Sequence, residues 1–288
     1  MSTHRFLVTG ANKGIGLAIV RATLDADRAA HVLLGARDRA RGEAAVRALV
    51  AEDADRDGRI EVLALDVADD ASVAAAAAAL DAPLDGLVNN AGIGLGDESL
   101  ARVLDVNTRG PHRVVAAFLP HLARGGRVVN VSSASGPNFV AGCSPARRAQ
   151  LTDPDITWAL FDALLVECLA LAGRGGDFAA AGFGTGAAYG LSKALVNALT
   201  LALAREHPEL TVNACTPGYI ETDLTRPVAE ARGASPASLG MKPPAAGARA
   251  PVHLLLGDVG ASGWYFGSDA QRSPLDRYRA PGDPPFTG

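Results

Sequence analysis

Short apolar runs alternate with stretches of helical spacing through the first 132 residues, and this alternation constrains the fold more than any other feature. The runs are Phe6–Thr9, His31–Leu34, Ile60–Leu65, Leu84–Val88 and Val128–Ser132. Between them, apolar residues recur three to four apart, as at Ile15, Ala18, Ile19 and Ala22. Helices are expected at about Arg39–Glu52, Ser72–Leu80 and Leu100–Leu122. The runs are too short for helices and do not alternate with polar residues, so each reads as a strand buried on both faces. Strands joined through helices lie parallel. Thr211–Cys215 and Gly263–Phe266 read as later strands, with helices near Tyr189–Arg205 and Pro244–Leu256. The expectation is an α/β chain: one doubly wound domain spanning residues 1–288, with helices on both faces of the sheet and no linker. Residues 134–188 form a long segment with one helical stretch near Ile156–Leu171. The tail, Gly267–Gly288, is rich in Pro, Gly, Asp and Arg and reads as irregular.

The first turn reads TGANKGIG (9–16). In a chain with 32 glycines such a match is weak by itself. Its place between a strand and a helix is what a dinucleotide-binding turn requires. Gly10, Gly14 and Gly16 allow a tight turn and close approach of backbone to phosphate, and the helix N-terminus favours a pyrophosphate. Asn12, Lys13 and Ile15 complete the loop. The second strand ends Gly35-Ala36-Arg37-Asp38. An acidic residue at this end would bond a ribose hydroxyl. Arg37 instead suits a 2′-phosphate, Lys13 adds a second cation, and together they favour NADPH over NADH. Arg37 as an ordinary solvated arginine is the alternative. Asp38 is placed to cap the following helix.

The formal net charge of -4 gives no basic field for nucleic acid or an anionic membrane. No apolar run approaches the roughly 20 residues of a membrane span, and the N-terminus lacks an apolar signal core. The cysteines Cys143, Cys168 and Cys215 show no CxxC spacing, so no metal site or disulfide framework is expected, and a reducing cytoplasm is the expected compartment.

Tyr189 and Lys193 stand at i and i+4 on one helix face. A cation one turn away favours a phenolate, which would lower the tyrosine pKa and make Tyr189 a general acid near neutral pH. Such a pair is common by chance. Together with LVNNAG (87–92), DVNTRG (105–110), RVVNVSSAS (127–135) and NACTPGYIETD (213–223), it resembles the short-chain dehydrogenase/reductase family, from Phe6 to about Phe266.

The resemblance implies a Rossmann-type fold and a set of roles. Tyr189 would give a proton to a substrate carbonyl, and Lys193 would lower its pKa and bond the nicotinamide ribose. Ser133 would hydrogen-bond the carbonyl oxygen, with Ser132 as the alternative hydroxyl. Asn107 would support a water linking Lys193 to solvent, or else stabilise a helix kink. Asp66, followed by Val67, would contact the adenine amino group or cap a helix. Asn89, Ala91 and Gly92 would lie beside the cofactor, with Asn90 structural. Pro217, Gly218, Ile220 and Thr222 would flank the nicotinamide. Ala134, Ser135 and Tyr219 are candidates for the substrate pocket, as are Trp158, Phe183 and Trp264 unless they are core residues.

Ser133 and Tyr189 are 56 positions apart, wider than in ordinary members. A comparable insertion, with TGxNKGIG, ARDRARGEAAVRAL (36–49) and CSP (143–145), resembles the monomeric NADPH-dependent carbonyl reductase branch. That implies a monomer, the insertion covering the face on which other members associate, or alternatively a surface elaboration or lid. The leading expectation is NADPH-dependent reduction of a ketone or aldehyde. An NAD-linked alcohol dehydrogenase and a non-catalytic NADP(H) sensor are the competing readings.

Overall fold

The computed structural model describes residues 3–94, 98–184 and 188–288. Their strands form one sheet in the order β3-β2-β1-β4-β5-β6-β7-β8. The central strand β1 (His4–Val8) pairs in parallel with β2 (Ala30–Ala36) on one side and β4 (Leu84–Asn89) on the other. Beyond them lie β3 (Ile60–Ala64), β5 (Leu122–Val131), β6 (Thr211–Cys215) and β7 (Tyr265–Phe266), all parallel. The order reverses between β1 and β4, which opens a crevice at the carboxyl ends of these strands.

Alternation within the apolar runs explains the two cores. Phe6, Val8 and Val88 face α1 (Gly14–Ala26), α2 (Arg39–Glu52) and α12 (Arg249–Leu256) in one cluster. Leu7 and Leu87 point the other way, toward α3 (Asp70–Ala78), α5 (Gly110–Phe118) and α9 (Ala188–Glu206). Both faces are covered, so neither shows a polar alternation.

The stretch expected as one helix from Leu100 to Leu122 is broken. It runs α4 (Leu100–Leu104), a π-turn (Asp105–Arg109), α5, and a 3-10 turn (Leu119–His121) into β5. Asn107 lies in the π-turn, and Pro111 and Pro120 open the next two pieces, where a missing N–H costs nothing. The segment 134–188 holds three helices where one was expected: α6 (Ser135–Ala141), α7 (Pro145–Leu151) and α8 (Trp158–Gly173). Ser144 and Thr157 cap α7 and α8. Phe161, Leu164, Leu165, Cys168 and Leu171 of α8 are buried in the cluster that holds Leu191, Leu195 and Leu199 of α9.

The tail, expected as irregular, has one two-residue strand and is otherwise held by side chains. A short strand β8 (Arg272–Ser273) pairs antiparallel with β7. Arg279 is 9% exposed and gathers the tail: Nη2 donates to both oxygens of Asp269 at 2.6 Å, Nη1 to Ala280 O and Asp283 O, and Nε to Ser273 Oγ. The Arg272 guanidinium lies 4.0 Å from the Trp264 ring centroid and 5.3 Å from that of Phe286. Two short helices complete the chain, α10 (Arg226–Ala231) and α11 (Pro244–Gly247). Among the described residues no helix is long and apolar enough to cross a membrane.

Candidate active site

A cleft of about 740 Å³ occupies the crevice at the carboxyl ends of the strands. The loop after β1 forms one wall. Thr9 Oγ1 accepts from the N–H groups of Asn90 and Ala91 at 3.0 Å, and Asn90 Nδ2 donates to Thr9 O and Gly10 O. Gly10 has φ +62, and a Cβ there would sit 2.9 Å from Ala91 Cα, so only glycine lets the loop lie this close to β4. Asn90 is thus a structural clamp that also lines the cleft.

The N-terminus of α1 fits a pyrophosphate. Lys13 stands at the N-cap but makes no side-chain cap, so the first-turn amides Gly14, Ile15 and Gly16 open on the cleft without one. Gly10, Asn12, Lys13, Arg37, Asp66, Val67, Ala91, Gly92, Pro217 and Thr222 line the same space.

The cations divide. Arg37 is exposed and has no acceptor among the described residues. Arg41, which sequence reasoning overlooked, lines the cleft beside it with Nε 3.3 Å from Asp38. Arg41 lies in the first turn of α2, three residues after the Asp38 cap, and its place just past the cap was the available signal. Asp38 caps α2, as expected. Lys13 reaches instead across the cleft, its Nζ 2.5 Å from Asp223 Oδ2. Asp66 Oδ1 accepts from Ala68 N, while Asp69 caps α3, so the helix-cap alternative for Asp66 passes to Asp69.

Several expected positions lie off the cleft. The Asn89 amide turns into the sheet and donates to Asn130 Oδ1 at 2.9 Å. Ile220 is buried and bridges to Lys242, and Gly218 packs on Ser268. Ala134 and Ser135 open α6, and Tyr219 is 42% exposed. The three further aromatics are packing residues. Trp158 stacks on His112 with centroids 3.6 Å apart, Phe183 is buried under Arg147, and Trp264 is held by Arg272.

The reactive groups converge below this cleft. Lys193 is 5% exposed and donates from Nζ to Val131 O at 2.9 Å. Burial lowers its pKa to about 8, against a smaller upward pull from Cys215. Tyr189 lines the cleft with its ring centroid 5.6 Å from Lys193 Nζ. Burial pushes its phenol above the ordinary value, with the Ser133 hydroxyl pulling the other way. The net direction for Tyr189 is therefore upward, against the expectation of a lowered pKa, because desolvation of the phenol dominates. Ser133 Oγ accepts from Ser135 N at 3.2 Å and donates to Ser135 Oγ at 3.3 Å, whereas the Ser132 hydroxyl is buried and donates to Lys193 O. Asn107 Oδ1 accepts from Ile93 N, and its Nδ2 donates to Ile93 O and to Ser192 Oγ.

A mostly parallel sheet with a glycine-lined pyrophosphate cradle at its switch point, and a partly exposed tyrosine over a buried lysine beside it, define a dinucleotide-dependent oxidoreductase. The family model for short chain dehydrogenase matches residues 4–145 and 177–233. It is interrupted across 146–176, where most of α7 and all of α8 lie. Carbonyl reductase [NADPH] 1 of Sus scrofa is 34% identical over 268 residues, covering 88% of each chain. Carbonyl reductase [NADPH] 3 of Rattus norvegicus is 33% identical over 264 residues, covering 87% of this chain and 90% of that one. Among solved structures, salutaridine reductase from Papaver somniferum superposes with a TM-score of 0.74 at 26% identity, covering 91% of this chain and 99% of that one. Menthone neomenthol reductase from Mentha piperita gives 0.74 at 27% identity, covering 93% and 99%. The chain belongs to the short-chain dehydrogenase family and is an oxidoreductase.

Proposed function

We propose that this protein reduces a ketone or aldehyde to an alcohol with NADPH, with Tyr189 as proton donor. The observation that carries the reading is the Tyr189–Lys193 pair, with Ser133 beside the phenol, at the foot of a cleft whose rim presents Arg37 and Arg41. The carbonyl reductase names of the curated relatives agree with it.

NADPH would supply a hydride to the carbonyl carbon. The α1 amides would hold the pyrophosphate, Arg37 and Arg41 the 2′-phosphate, and Asp66 the adenine side. The Ser133 hydroxyl holds the substrate oxygen and aims it at Tyr189. Because burial keeps the phenol protonated, Tyr189 enters reduction in the acid form and donates its proton as negative charge develops on the oxygen. Lys193, charged below about pH 8, stabilises the phenolate left behind. Asn107 holds the π-turn and the Ile93 segment against α9, which fixes the distance between the two halves of the site.

A Tyr189→Phe variant tests this reading. It is expected to bind NADPH normally and to lose turnover by at least about 100-fold, the usual contribution of a positioned general acid. Full activity in Tyr189→Phe would end the proposed role. The burial of α8 against α9 supports a further reading, that the protein works as a monomer. Gel filtration giving a stable dimer or tetramer would overturn it.

A further inference from the structure

Gly94 lies five residues beyond β4, with φ +132. A Cβ on this residue would stand 2.7 Å from Tyr189 Cδ2 and 3.4 Å from the Cβ and Cγ of the same side chain. The bare backbone at 94 is therefore in contact with the edge of the Tyr189 ring. The backbone on both sides of this contact is held by hydrogen bonds. Asn107 grips the preceding peptide on both sides, accepting from Ile93 N and donating to Ile93 O, each at 2.8 Å. The same amide donates to Ser192 Oγ at 3.1 Å, and that hydroxyl donates to Tyr189 O at 2.8 Å. One asparagine thus ties the wall at 93–94 and the backbone of Tyr189 into a single frame.

We propose that Gly94 is a positioning residue that sets the depth of the Tyr189 ring, and hence where its hydroxyl meets the substrate oxygen. This rests on Tyr189 being the proton donor. An ordinary carbon–carbon contact lies at about 3.5 Å. A methyl at 94 must therefore displace the ring, the wall, or both by about 0.8 Å, and a misplacement of that order costs roughly 100-fold in rate. The three atoms nearest a Cβ at 94 all belong to Tyr189 and none to the cradle at Gly10–Gly16.

The test is Gly94→Ala beside Tyr189→Phe and a backbone control, Gly58→Ala. Gly58 has φ +70 and open space where a Cβ would point, so that variant reports the general cost of a side chain at positive φ away from the ring. The expected result for Gly94→Ala is a kcat on the order of 100-fold lower, a KM for the carbonyl and a Kd for NADPH within about twofold, and a larger solvent deuterium isotope effect on kcat. Gly58→Ala keeps the native kcat. A folded Gly94→Ala protein with kcat within threefold of the native enzyme overturns the role of Gly94. If Tyr189→Phe is also fully active, the proton-donor reading falls first; if Tyr189→Phe is dead, only Gly94 is at fault. Should Gly94→Ala fail to fold, Gly94→Ala/Tyr189→Ala removes the ring that the methyl strikes. Recovery of folding in the double variant supports the contact, and failure of both assigns the defect to the backbone and overturns the proposal.

Discussion

Replacing Lys193 with methionine is expected to kill activity and yet stabilise the protein at neutral pH. Lys193 is charged and 5% exposed, and burial lowers its pKa from 10.5 to about 8. Below pH 8 the lysine is protonated in both folded and unfolded chains, but the folded state holds that proton less tightly. The difference corresponds to roughly 3 kcal/mol against folding. Methionine removes this cost and keeps the length of the side chain. It also loses the hydrogen bond to Val131 O, worth about 1–2 kcal/mol when a buried carbonyl is left without its donor. The net gain at pH 7 is about 1–2 kcal/mol, or a Tm higher by about 2–4 °C. Between pH 8 and 10.5 the unfolded native chain binds more protons than the folded one, so the native enzyme gains stability with rising pH through this group. The variant does not share that gain. Urea unfolding of both proteins at pH 7 and pH 10 should therefore show the advantage of Lys193→Met shrinking and reversing. Groups that titrate alike in both proteins cancel in the comparison. A variant that is less stable at pH 7, by an amount that does not change with pH, would refute the claim that burial strains the ammonium.

Two further substitutions probe the rim and the tail. Arg37→Ala should weaken NADPH binding about 5- to 30-fold, from the loss of charge-assisted bonds worth about 1–2 kcal/mol at an exposed site, and leave NADH within twofold; nicotinamide fluorescence titrations decide it. Arg279→Met leaves the partly buried Asp269 carboxylate without its charged partner, so it should cost about 1.5–3 kcal/mol in chemical unfolding, whereas a loss under about 0.5 kcal/mol would mean the tail adds little.

The sheet was legible because each apolar run belongs to both cores, as Leu7 and Val8 show, and such runs are distinctive in sequence. The cofactor loop and the Tyr189–Lys193 pair were legible for a related reason: their spacing is local. What was missed depends on partners far along the chain. Lys13 meets Asp223, and nothing near either residue announces the pair. The tail owes its order to Arg279 reaching back to Asp269 and to Arg272 lying between Trp264 and Phe286, which composition alone reads as a loop. Asn89 and Asn90 are the same residue type, and the alternation of side chains at the end of β4 sends the one expected beside the cofactor into the sheet and the other to the loop. The Tyr189 pKa was misjudged because helical spacing gives the neighbour but not its burial.

The central claim is NADPH-dependent carbonyl reduction, and the most direct test is kcat/KM of the native protein with NADPH and with NADH across a panel of aldehydes, ketones, diketones and quinones. The account predicts turnover of at least one carbonyl, with NADPH preferred by tenfold or more. Turnover that favours NADH, or tight NADPH binding with no carbonyl reduced in the panel or in a wider screen, would contradict it.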